Sequence, residues 1–293
     1  MMIFLDNLIN GLSLGSIYAI IALGYTMVYG IAKMLNFAHG DIIMVGAYIA
    51  FCGLQYRNVP PILAILIAMA VCTLLGVTIE GLDYRPLRQS ASLAVLITAI
   101  GMSYLLQNLA LMIWGANPKS FPGTFINSGS LRLGQLNISS ATLFTILANI
   151  VIMVVLTLFT SRTKMGKAMR CVSEDRGAAQ LMGINVNRTI SITFAIGSAL
   201  AAIAGVLLCS SYPILQPTTG SMPGIKAFTA AVFGGIGSIP GAMLGGILLG
   251  VIEIFGKAYI STALGDAIVF AVLIIVLLVK PTGLLGKPIR EKV

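Results

Sequence analysis

Long apolar runs separated by short polar or Gly/Pro-rich breaks dominate the chain, and their spacing predicts membrane helices. The runs 8–31, 60–80, 91–114, 138–160 and 189–211 each hold about the 20 residues that a helix needs to cross ~30 Å of hydrocarbon. They are too continuous for the roughly ten-residue alternating strands of an outer-membrane barrel. The apolar run 42–54 is only 13 residues long, so a second span must begin inside the polar hexad Asn36-Phe37-Ala38-His39-Gly40-Asp41. After Pro213, Pro217 and Pro223 the segment 222–236 is again short, and the spans 237–257 and 263–280 follow it. The pattern predicts an all-α polytopic transmembrane helical bundle of about nine crossings, within a range of 8–10, containing broken or re-entrant segments.

One polar stretch interrupts this pattern. Residues 162–188, RTKMGKAMRCVSEDRGAAQLMGINVNR, carry Arg162, Lys164, Lys167, Arg170, Arg176 and Arg188 against Glu174 and Asp175, the bias of a cytoplasmic loop. The expected shape is a short helix, a left-handed turn at Gly183 and then the next span. A cytoplasmic loop at Asp83, Arg85 and Arg88 and a basic tail with Lys287, Arg290 and Lys292 fit an outside N-terminus and an odd number of crossings. The segment 115–137, with Lys119 and Arg132 as its charges, reads as an outside loop that a partner could meet.

Composition supports this class. Hydrophobic residues make up 58% and charged ones 9% of the 293, and the mean hydropathy is +0.99, which excludes a soluble domain with a polar surface. The net charge of +9 resides in short loops and span ends, so nucleic acid is not a partner. No basic region precedes the first apolar run, and a cleaved signal peptide is not expected. Cys52, Cys72, Cys171 and Cys209 lack ligand spacing and His39 is the single histidine, so no metal site is expected.

Small and polar residues inside the spans carry the finer expectations. Gly11 and Gly15, Gly197 and Gly205, and Gly237, Gly241 and Gly245 recur at multiples of four and are read as helix-packing positions. Tyr18, Tyr25 and Tyr29 are read as interfacial anchors, as is Trp114. Asn36, His39, Asp41, Gln107 and Asn108 are pathway or hinge candidates, the two amides being expected to face the bundle interior. Glu253 is expected to pair with Lys257 at i+4. The run Gly234-Gly235-Ile236-Gly237 has no Lys-Ser/Thr step, so no nucleotide site or other cofactor is expected, and no catalytic constellation is present.

Broken helices and a glycine chain point to transport. A self-sufficient secondary transporter using His39, Asp41 and Glu253 is the alternative from the residues alone. NGLSLGSIYAIIALGYTMVYGI, NFAHGD, GKAMRCVSEDRGAAQLMGIN and GIKAFTAAVFGGIGSIPGAMLGGILLG together resemble the LivH-type branched-chain amino acid permeases of ATP-binding-cassette importers. The resemblance covers almost the whole chain. It implies a single membrane-spanning permease domain over 1–293, with 162–188 as its cytoplasmic coupling loop, in a bacterial inner membrane. It also implies a second homologous permease subunit, two cytoplasmic ATPase subunits that hydrolyse the ATP, and a periplasmic or lipid-anchored substrate-binding protein delivering Leu, Ile or Val. Urea, short amides or other amino acids are the alternative solutes. Residues 167–185 match the coupling helix, which implies ATPase-coupling roles for Lys167, Arg170, Glu174, Asp175, Ala178, Ala179 and Gly183. Against the importer motif Glu-Ala-Ala-x3-Gly, Gly177 stands where Glu belongs, and the downstream Pro is missing.

Overall fold

A computed structural model describes residues 2–88, 90–122, 130–133 and 136–286. The tail cations Lys287, Arg290 and Lys292 and residues 123–129 of the 115–137 segment lie outside the described residues. Each of the nine apolar segments is a helix: α1 (Met2–Ala32), α2 (His39–Arg57), α3 (Pro61–Ile79), α4 (Ser92–Trp114), α5 (Ser140–Arg162), α8 (Val186–Ser211), α9 (Ser221–Gly234), α10 (Ile239–Tyr259) and α11 (Gly265–Val279). The polar stretch forms α6 (Lys164–Glu174) and α7 (Arg176–Leu181). Two small antiparallel ribbons complete the described residues: β1 (Lys119–Ser120) pairs with β4 (Ile214–Leu215), and β2 (Ser130–Leu133) with β3 (Leu136–Ser139).

Among the described residues six helices are long and apolar enough to cross a membrane: 3–32, 61–84, 93–114, 140–162, 186–211 and 239–259. The fold is the all-α polytopic bundle that the sequence predicts. α9, with 14 residues, covers only about 21 Å. It is the broken element, and α2 and α11 supply the remaining 19- and 15-residue helices.

α1 is the hub. Its most apolar window is 89% buried against 17% for α4 and 22% for α5, so α1 lies inside the bundle and those two at its edge. Glycine permits the close approach. A Cβ on Gly15 would lie 2.6 Å from the Ile247 carbonyl oxygen and one on Gly11 2.9 Å from the Val251 Cα, while Gly246 and Gly250 of α10 meet Ala19 and Gly15 in return. α1 and α10 therefore run antiparallel with their backbones nearly touching. Gly205 meets the Ile43 carbonyl, Gly197 meets Gly24 and Val28, and Gly241 and Gly245 meet α9. Gly237 differs from the packing expectation: it sits at φ 93 in the turn before α10, with nothing within 4 Å of its Cβ position.

Three further expectations change. The tyrosines of α1 are not all anchors: Tyr18 and Tyr25 are buried, because α1 is enclosed along most of its length. Trp114 turns inward, stacking on Tyr48 at 4.5 Å and donating to Cys52 Sγ. The third span does not end at Glu80. It continues as a π-helical turn, Glu80–Tyr84, closed by the Arg85 N–H to Glu80 carbonyl bond, and this wider turn leaves Glu80 and Asp83 buried rather than in a solvated loop.

Gly250→Leu should wedge α1 from α10 and cost at least the 1–3 kcal/mol typical of overpacking. The expected readout is a lowered melting temperature in detergent, with an unchanged melt for Gly101→Ala, whose Cβ would meet nothing within 4 Å.

Candidate functional site

The α6–α7 end of the bundle carries an open concave surface. α6 opens at Thr163, whose Oγ1 accepts from the Gly166 N–H at 2.9 Å. Asp175 then breaks the helix in extended conformation (φ −153, ψ 117) and caps α7, its Oδ1 accepting from the N–H groups of Gly177 at 2.8 Å and Ala178 at 3.0 Å. The expected single helix is thus two, because an Asp side chain competes for the backbone at that position. Gly183 at φ 78 ends α7, with the Ile184 N–H returning to the Ala179 carbonyl, and Asn185 caps α8.

α6 and α7 meet at an angle and leave an open groove of about 730 Å³ lined by Lys167, Arg170, Cys171, Glu174, Asp175, Ala178, Ala179, Met182 and Ile184. Six of the seven residues matched to a coupling helix line this one groove, and Gly183 turns the chain beside it. Ala179, at 2% exposure, borders the groove from within the core and offers little surface of its own. Leu181 and Met182, 90% and 81% exposed, stand out from the same turn and were not singled out from the sequence. Their signal was present as two adjacent large apolar residues in a polar loop.

Polar ties fasten this end to the bundle. Arg176 donates to the Ala32 carbonyl at the last residue of α1. Burial first, and the neighbouring Arg88 second, hold the Arg176 pKa below the ordinary arginine value. Arg88 pairs with buried Glu80 and donates to Asn187 of α8, and Ser191 donates to the other Glu80 oxygen. Tyr84 Oη donates to Asn36 Oδ1 at 3.0 Å, so Asn36 belongs to the connection between α1 and α2.

Deeper in the bundle the two broken regions meet. A Cβ on Gly224 would lie 2.8 Å from the Gly40 Cα, so the starts of α9 and α2 are in contact. Gln107 Nε2 donates to Asp41 Oδ1 at 2.9 Å and lies 3.3 Å from both Ser103 and Ser221. A carboxylate, an amide and two hydroxyls from α2, α4 and α9 thus converge. His39 does not join them. Two positions along the helix from Asp41, it faces Gly24 and Tyr25 (ring centroids 4.5 Å apart), and its Nε2 has no hydrogen-bond partner. Asn108 also departs from expectation, being exposed and bonded to the Tyr104 carbonyl of its own helix. One position from Gln107, it points about 100° away.

Glu253 pairs with Lys257 at 2.5 Å, but also with Lys226 of α9 at 2.7 Å, and it accepts from Tyr18 Oη at 2.8 Å. Lys226 in turn reaches Asp266 at 2.6 Å. The cluster neutralises two lysines with two carboxylates and joins α1, α9, α10 and α11. Lys226, a lysine in an apolar segment, was the available sign of a long-range partner for Glu253. Among the described residues no three His, Cys, Asp or Glu side chains group as metal ligands.

Comparisons with known proteins match the chain to a family. A family model described as "Branched-chain amino acid transport system / permease component" matches residues 7–277. The chain is 46% identical to the high-affinity branched-chain amino acid transport system permease protein LivH of Salmonella typhimurium, over 99% of this chain and 98% of the relative. It is equally similar, at the same identity and coverage, to BraD of Pseudomonas aeruginosa, which carries the same description. Among solved structures, a chain of PsaBC from Streptococcus pneumoniae in complex with Fab shares the fold over 95% of this chain and 92% of that one, with a TM-score of 0.50 at 14% identity. The helical bundle is that of a multi-pass membrane protein, and the chain belongs to the branched-chain amino acid transport system permease family.

Proposed function

We propose that this chain is the permease subunit of an ATP-binding-cassette importer and that, with a related permease, it forms the membrane path for leucine, isoleucine and valine. The observation that carries the reading is the α6–α7 groove, where a capped and rigid helix pair leaves Leu181 and Met182 bare beside Lys167, Arg170 and Glu174. Adjacent large apolar side chains, standing out at 90% and 81% exposure within a charged surface, are what a partner-binding patch looks like. Each of two soluble ATPase subunits docks on one permease there, and hydrolysis belongs to those subunits. A substrate-binding protein delivers solute at the opposite end, near β1 and β4. In this reading the N-terminus lies outside, α6–α7 lies in the cytoplasm and the membrane is a bacterial inner membrane. The whole of 1–293 is one permease domain, with 162–188 as its coupling loop.

Asp41, Gln107 and Ser221 are the proposed polar lining of the path, with Asn36 and His39 at its hinge. Buried and half-buried polar groups inside a helical bundle favour a water-filled route or a partner helix over lipid. The self-sufficient carrier is less well supported, because Glu253 is held by Lys226, Lys257 and Tyr18 and the side chains of His39 and Asp41 diverge.

The test is reconstitution of the complete transporter with radiolabelled leucine. Gly183→Pro, which forbids the φ of 78, and deletion of 176–182 should each abolish solute-stimulated ATP turnover while the chain still inserts. Normal turnover in either would refute the docking role. In the same assay Gln107→Leu, which strips a hydrogen-bond donor from buried Asp41 at a cost of about 1–3 kcal/mol, should slow leucine uptake about tenfold or more. Asn108→Leu should stay within twofold of the parent protein.

A further inference from the structure

We infer that Arg176 is the positioning residue through which movement of α6–α7 reaches α1 and the hinge that follows it. The inference rests on the coupling role proposed above. A helix leaves its last four carbonyls without intrahelical partners, and a cation is favoured at that end. At the C-terminus of α1 the Arg176 guanidinium supplies such a donor, 144 residues away in sequence and on a different structural unit. It sits at the first residue of α7, one step after the break at Asp175, so any rotation of α7 against a docked partner moves it directly.

What lies past its acceptor gives the contact its consequence. Ala32 is followed by Lys33 in the left-handed region at φ 54, a conformation costly for a residue with a side chain and the first of the six residues, 33–38, that connect to α2. That connection carries Asn36, fixed by Tyr84, and leads into the turn that bears His39 and Asp41. Asp41 is bonded to Gln107 in the proposed path. The route from groove to path is therefore short and continuous: α7, Arg176, the end of α1, the 33–38 connection and the start of α2. α1 packs on α10 from Gly11 to Ala19 and on α8 at Gly24, and its last residue, Ala32, is buried, so it resists bending along its length and the strained 33–38 hinge is the part able to move.

Arg176 is half-buried in the isolated chain, so its stem packs while its head bonds. Removing only the donors separates relay from packing. The experiment uses the complete reconstituted transporter and measures leucine moved per ATP hydrolysed for Arg176→Met, which keeps the stem, and Arg176→Lys, which keeps one cationic donor. Arg176→Met should retain the ATPase subunits on purification, melt within a few degrees of the parent and still hydrolyse ATP, while leucine per ATP falls at least tenfold. Arg176→Lys should recover at least a third of the parent ratio. A parent-like ratio in Arg176→Met overturns the inference, as does loss of the ATPase subunits from that variant, which would make Arg176 a docking residue. Absence of leucine transport by the parent complex would instead overturn the proposed function.

Discussion

In hydrocarbon every backbone polar group and every charge must find its partner inside the protein, and the architecture of this permease follows from that constraint. Two chain breaks, 33–38 and 212–220, interrupt the helices, and both are covered by other elements. Asn36 and the Leu35 carbonyl meet Tyr84, Arg176 occupies the Ala32 carbonyl, and the second break is paired at β4 with β1. Gly40, Gly220 and Gly224 then let the starts of α2 and α9 touch, so the polar turn between α1 and α2 is shielded by a neighbouring backbone. The buried charges obey the same rule. Lys226 and Glu253 would each be costly alone, and losing one partner from such a pair typically costs about 3–5 kcal/mol. Together with Tyr18, Lys257 and Asp266 they tie α9 to three other helices.

The constraint also sorts what the sequence could reveal. Hydropathy located all nine helices because a lipid-facing or packed helix must be apolar along about 20 residues, or visibly short where it is broken. Four-residue glycine spacing pointed to Gly11 and Gly15 because a helix brings those positions onto one face. The same rule misplaced Gly237, where the spacing continues through a turn and there is no helix face to share. Contacts between distant segments left weaker signals. Asp83, Arg85 and Arg88 read as a charged loop after a span ending at Glu80 because nothing local announces a π-helical turn, and that turn is what carries the Glu80 side chain inward to Ser191. Adjacent amides at 107 and 108 look alike in sequence, yet the helix turns about 100° between them and only Gln107 reaches Asp41. The Ala178-Ala179 pair divides in the same manner: both border the groove, but Ala178 is exposed and Ala179 is buried.

Leverage follows from how unequally the helices are fixed. α4 and α5 lie at the edge, whereas α1 is enclosed and touches α10 through backbone atoms, so a push on α1 cannot be absorbed by rotation of side chains alone. Packed interfaces of this kind shift as units or not at all. At the C-terminal end of α1 the neighbouring α6–α7 segment is stiff, since Thr163, Asp175 and Asn185 cap three consecutive helices and Gly183 closes the last turn of α7. At the other end the ionic cluster holds α9, α10 and α11 as a block. Between a stiff loop and a stiff block, the compliant elements are the 33–38 connection and the contact of α2 with α9. That contact is where Asp41, Gln107 and Ser221 converge, so in the proposed importer the work delivered at the groove is spent where solute would pass.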